Sequence, residues 1–176
     1  MRTTVKRALG GGAALAVSLT TALVTAQPAA ADSTTFNDGG GHLTTVRVDN
    51  TYGPEDIRVK AKVGDYRTGS HFSFWIDTDS ENAGPEYRIK VYPNSEVLPI
   101  RAIENFSDPG SDIDCDYRAS ADAFGSKYVS IHIPRDCLGT PDRVRVSVRA
   151  NYSIPGPNVV DWGPGRKKFF DWVWWG

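Results

Sequence analysis

Four carboxylates fall in one short gap between two apolar runs, in the stretch FSFWIDTDSENAGPEYRI: Asp77, Asp79, Glu81 and Glu86, with Asn82 among them. Hard oxygen ligands in a loop are what calcium takes, so Asp77, Asp79 and Glu86 are candidate ligands for that ion. The helix–loop–helix calcium pattern requires Gly at its sixth position and Glu at its twelfth. Counted from Asp77, those positions hold Asn82 and Arg88. A pair of carboxylates is also the machinery of glycoside hydrolysis, and Asp77 or Asp79 with Glu86 would be the pair here, although nothing in the spacing sets their separation. The third reading is a polar turn whose Asp and Asn side chains bond to nearby backbone while Gly84-Pro85 redirects the chain. All three stay open at this point, with the turn favoured.

A second acidic run, SDPGSDIDCDYR, places Asp112, Asp114 and Asp116 at period two, on one face of a strand. Such a column needs a cation, and Arg145 and Arg149 on a neighbouring strand are expected to supply it. Nucleophilic catalysis has little to work with. There is no G-x-S-x-G motif, and His42, His71 and His132 lie in no context that marks a base. The expectation is a protein that is not an enzyme. His132 alternates with Ile131 and Ile133 and should face outward, and Arg143, Arg145 and Arg149 are expected to form a solvated strand face.

Rings that stack on sugars are flat and amphipathic, which Trp supplies. Four of the five Trp crowd the C-terminus (Trp162, Trp172, Trp174, Trp175), where FFDWVWWG is apolar on both faces and reads as a strand closing the core. Trp75 lies on the strand face opposite Phe72, Phe74 and Ile76, and is the ring expected to be exposed for a ligand.

The elements that would position these residues are strands. Ile57, Val59, Ala61 and Val63 alternate with Arg58, Lys60 and Lys62, and the same period recurs at Val46/Val48, Phe72/Phe74/Ile76, Tyr87/Ile89/Val91, Val129/Ile131/Ile133 and Val144/Val146/Val148. Weaker runs are EVLPIRAI, DIDCDYRA and KKFFDWVWW. Short Gly, Pro, Asn and Asp joints separate them, and no helical period offers the crossovers that parallel strands need. About nine antiparallel strands in an all-β two-sheet sandwich, of Greek-key or jelly-roll type, are therefore expected.

Residues 1–31 read as an export signal: Arg2, Lys6 and Arg7 precede a Gly/Ala-rich apolar run, and Ala29-x-Ala31 sets cleavage before Asp32. Its removal takes three of the 20 Lys+Arg and none of the 21 Asp+Glu, leaving 17 against 21, a formal −4 on 145 residues. That balance argues against general binding to nucleic acid, and once the signal is cleaved no membrane attachment is expected. Residues 32–42 are expected as a flexible tail and residues 43–176 as a single domain. The only two cysteines, Cys115 and Cys137, read as one disulfide in an exported protein.

Two fragments carry a resemblance. FSFWIDTDSENAGPEYRIKV and YVSIHIPRDCLGTPDRVRVSVRANY resemble the strand–acidic turn–strand and a later Ile-Pro turn with a Val-rich strand in family 9 carbohydrate-binding-like and DOMON-like sandwiches; the chain also resembles secreted proteins of high-GC Gram-positive bacteria. The resemblance implies sugar binding, sometimes haem, and a structural calcium, the last passing only to Asp77 and Asp79. Haem fits poorly, because no Met remains after cleavage and no His stands in a recognisable axial position. The functional expectation is a secreted, non-catalytic module for glycan or cell-wall polymer. Its alternative is a secreted protein-interaction or inhibitor domain using the loops NTYGPED and SIPGPN, and a carboxylate-dependent hydrolase comes third.

Overall fold

A computed structural model describes residues 33–39, 41–52, 56–65, 69–93, 98–152 and 158–176. The expected export signal with its Ala31–Asp32 boundary, and the tips of the loops NTYGPED and SIPGPN, lie outside the described residues. The chain is all-β, built as two antiparallel sheets packed against each other. The first sheet has the order β1 (Ser33–Asn37), β2 (Leu43–Tyr52), β3 (Asp56–Val63), β9 (Tyr128–Pro134), β8 (Arg118–Asp122). The second runs β11 (Val159–Gly163), β10 (Arg143–Tyr152), β4 (His71–Asp77), β5 (Tyr87–Val91), β6 (Ile100–Ala102), β7 (Ser111–Ile113), with β12 (Val173–Trp174) added beside β10.

The alternation does what a period of two requires. Ile57, Val59 and Ala61 of β3 in the first sheet are fully buried between the sheets, as are Val144, Val146, Val148 and Ala150 of β10 and, beside them in the second sheet, Phe72, Phe74 and Ile76 of β4. Each such side chain contributes about 1.5–3 kcal/mol by leaving water. Twelve strands are present among the described residues rather than nine. Three departures account for the difference. Ser33–Asn37, expected in a loose tail, pairs along its whole length with β2 and stacks Phe36 on Phe170 at 4.7 Å. DIDCDYRA is two strands in different sheets, β7 and β8, joined by a crossover through residues 114–117. Val159–Gly163, unread in the sequence, is the edge strand β11.

Cys115 in that crossover bonds to Cys137 in a 3₁₀ turn (Arg135–Leu138) after β9, with Cα atoms 5.7 Å apart. The bridge ties the sheet-to-sheet passage to the end of β9, and closing a loop of this length stabilises by about 3 kcal/mol in the chain-entropy view. The C-terminal segment closes the barrel-like seam between the sheets. Phe170 donates its N–H to Val146 (3.0 Å), Val173 is in the core, and its carbonyl accepts from the buried Asn50 side chain (3.0 Å). Asn50 in turn accepts from Arg135 (2.8 Å), whose guanidinium lies under Trp175 at 4.6 Å. The segment thus closes the core with Phe170 and Val173 and leaves Trp174 and Trp175 at the surface.

Candidate binding groove

The outer face of the second sheet is built in cross-strand rows. Trp162 of β11 stands opposite Arg149 of β10, Arg149 opposite Ser73 of β4, and Ser73 opposite Lys90 of β5. One row along, Ser147 faces Trp75, Trp75 faces Arg88, and Arg88 faces Arg101 of β6. Core residues alternate with these, so polar and aromatic groups share one side.

A loop and the edge strand β11 cover this face. Residues 103–110 are held by Asp108, whose carboxylate accepts from the N–H groups of Glu104 (2.8 Å) and Gly110 (2.9 Å); those bonds hold its pKa below the usual carboxylate value. Gly110 has φ of 69°, and a Cβ there would stand 2.4 Å from the Ala102 carbonyl, so the turn requires glycine. The loop sets Phe106 against Trp75 (5.5 Å between ring centres) and Phe169 (5.2 Å). From the other side, Trp162 stacks on Trp75 at 4.9 Å with planes 19° apart.

Trp75 is therefore not the exposed ring expected from its strand face. It is 4% exposed, because Trp162 and Phe106 roof it over. It forms the floor of an open groove of about 600 Å³ whose walls include Phe106, Trp162 and Arg149, with Arg166 and Lys167 at the rim. Arg149 lies over the Trp162 ring at 5.7 Å. The expected solvated arginine row is instead interleaved with rings. Arg145 stands over Phe169 (4.8 Å) and Trp172 (4.5 Å), and Arg143 over Trp172 (4.9 Å) and Trp174 (4.6 Å). Each contact of this kind is worth about 0.5–1 kcal/mol at an exposed site, and together they fasten residues 169–174 to the sheet.

The acidic turn lies beyond the end of this ladder. Asp77 is fully buried and takes both Nε (2.7 Å) and Nη2 (2.6 Å) of Arg145 on one oxygen, while the other accepts from the Asp79 N–H (3.2 Å). Burial pushes the Asp77 carboxyl up, and the Arg145 hydrogen bond and charge oppose it without cancelling it. Glu86, also raised chiefly by burial, accepts from the Thr78 N–H (2.8 Å) and from Asn82 (3.3 Å). Asp79 accepts from the Glu81 N–H (2.8 Å). These side chains cap the turn. Among the described residues no group of three or more His, Cys, Asp or Glu is arranged to hold a metal ion.

The second acidic run is not a column. Asp112 pairs with Arg101 (2.8 Å) rather than with Arg145 or Arg149, and Asp114 and Asp116 are exposed in the crossover outside any strand. Arg145 is committed to Asp77. His132 faces outward on the first sheet, as its alternation implies. Lys90 faces outward as the alternation of its strand implies, whereas alternation points to neither Trp162 nor Phe106 on this face. VVDW between two Gly/Pro joints was the available sign of β11, and with it of an outward Trp162.

No protein-family model matches the chain, and neither a curated protein nor a solved structure matches it. The resemblance to carbohydrate-binding-like sandwiches therefore gains no support from comparison.

Proposed function

We propose that the chain is an exported, non-catalytic binding module that holds a glycan in the groove over Trp75. One observation carries this reading: Trp162 and Phe106, both half-buried, wall a groove whose floor is a third ring. Pyranose rings present apolar C–H faces and hydroxyl edges, which suit an aromatic wall beside hydrogen-bonding cations. The disulfide and the leader-like N-terminus support an oxidising, exported setting, and among the described residues no helix is long and apolar enough to cross a membrane. Retention on a panel of insoluble polysaccharides tests the reading. Trp162→Ala should weaken retention by about 2 kcal/mol, roughly 30-fold, with the melting transition still cooperative. Failure of the native chain to bind any glycan would sink it.

The protein-interaction alternative has its own observation. Phe124, at the turn between β8 and β9, is 98% exposed, and Trp174 and Trp175 are 43% and 48% exposed. Phe124→Ser abolishing a complex recovered from culture fluid would favour that reading over the groove.

A further inference from the structure

Beyond the groove's aromatic wall the same sheet face carries a row of cations. The row Trp162–Arg149–Ser73–Lys90 crosses three strand spacings, about 14 Å. Beside Lys90 lies a second hollow of about 220 Å³, whose lining includes Arg88, Arg101 and Tyr92. Arg166 and Lys167 guard the other end.

These charges are poorly answered. Arg101 has Asp112, Arg88 donates to the carbonyls of Asp108 (3.0 Å) and Pro109 (2.8 Å), and Lys167 donates to Ser107 (3.0 Å). Among the described residues neither Lys90 nor Arg149 has a carboxylate within ion-pair distance. Burial first, then the charges of Arg88, Arg149 and Arg101, hold the Lys90 ammonium below its ordinary value, as expected where cations crowd without counter-ions. The crowding is local, because the chain after its leader carries a formal excess of acid.

The same face carries buried polar atoms with no hydrogen-bond partner among the described residues: Trp75 Nε1, Arg149 Nε, Ser147 Oγ and Asn151 Oδ1. All four side chains project from the outward positions of β4 and β10, and Trp75 and Arg149 line the groove itself. Leaving such a group unmatched costs about 1–3 kcal/mol.

Resting on the glycan reading above, we infer that the ligand is an anionic polysaccharide, one ring stacked on Trp162 and Phe106 and its acidic groups laid along Arg149 and Lys90 toward Arg88 and Arg101. Carboxylates of uronic acids and phosphodiesters of a wall polymer share the chemistry this row recognises.

Affinity electrophoresis of the native chain in gels containing polygalacturonate, its methyl ester, or a polysaccharide whose sugar rings are joined by phosphodiesters tests the inference and separates the two sources of charge. At least one of the acidic polymers should retard the chain ten times more strongly than the ester, and raised salt should weaken the effect. Lys90→Gln should reduce retardation by an acidic polymer about tenfold, and the exposed pair Arg166→Gln/Lys167→Gln should reduce it without disturbing folding. Equal binding to ester and free acid, insensitive to Lys90→Gln, would overturn the inference while leaving the glycan reading intact. Failure of all glycans would overturn both. Tighter binding to duplex DNA than to any of the polymers would overturn it in favour of a nucleic-acid surface.

Discussion

The two sheets bury equivalent inner faces and present different outer ones. On the first, polar groups close on their neighbours: Lys60 lies over Tyr128 at 3.7 Å, Ser120 meets Ser130 at 2.8 Å, Arg47 meets Asp49 at 2.8 Å, and Arg118 reaches Asp56 at 3.8 Å. On the second, guanidinium groups are layered between rings, and four buried polar atoms stay unmatched. A face that satisfies itself needs only water. The second instead sets cations such as Arg149 beside aromatic walls, to which the loop 103–110 contributes Phe106 and β11 contributes Trp162.

The largest effect that separates the faces is electrostatic. Arg145→Ala would leave Asp77 buried without its cation, which should cost about 3–5 kcal/mol, and Asp77→Asn in the same chain should recover much of it. Arg118→Ala removes a long, exposed contact on the first sheet and should cost less than about 0.5 kcal/mol. Urea denaturation of both variants checks this. Similar losses for the two would erase the distinction between a structural ion pair and a surface one.

How much of this was legible in the residues follows from what alternation encodes. Ile57 through Val63 and Val144 through Val148 announce their strands and their buried face, and the Cys115–Cys137 pairing follows from count and compartment. Alternation says nothing about which strand neighbours which. The row from Trp162 to Lys90 exists only because β11, β10, β4 and β5 are adjacent, and the sequence order of these strands does not imply it. Burial of Trp75 was missed for the same reason: a strand face is wet only until a distant loop covers it, and here Phe106 and Trp162 arrive from 31 and 87 residues away. The acidic period in DIDCDYRA misled because a chain passing between sheets has the same spacing as a strand within one.

Histidine gives a finer comparison, since each outer face has one. Burial first, then Lys90 and Arg149, hold His71 below its ordinary 6.5; Tyr92 stacks on it and Asn151 stands opposite. Burial, then Arg58 and Arg118, lower His132, with Asp56 opposing. In the window just below 6.5 the unfolded chain binds more protons than the folded one, so these two groups make stability rise with pH and fall away on acidification. Asp77 and Glu86, raised in the fold, have the opposite slope from their ordinary values of 3.8 and 4.5 upward. His71→Asn and His132→Asn should each flatten the loss between about pH 7 and 5. Saturation with an acidic polymer should raise the titration of His71, read by its ring proton resonances, and leave that of His132 in place. Equal shifts in both would show that the charge is not held on the second sheet.

The smallest expected effect concerns the acidic turn, where calcium and Arg145 compete for the same oxygen. An ion bound to that oxygen would have to displace two guanidinium contacts from Asp77, while the backbone donors on Glu86 and Asp79 already stabilise the turn without it. The melting midpoint in millimolar calcium should therefore lie within about 1 °C of that in chelator. A site filled to a hundred times its dissociation constant would add about 2.7 kcal/mol, which for a domain of this size is a rise of more than about 5 °C. A rise of that size, lost in Asp79→Ala, would mean that the turn rearranges around an ion and that Asp77 is shared between metal and arginine.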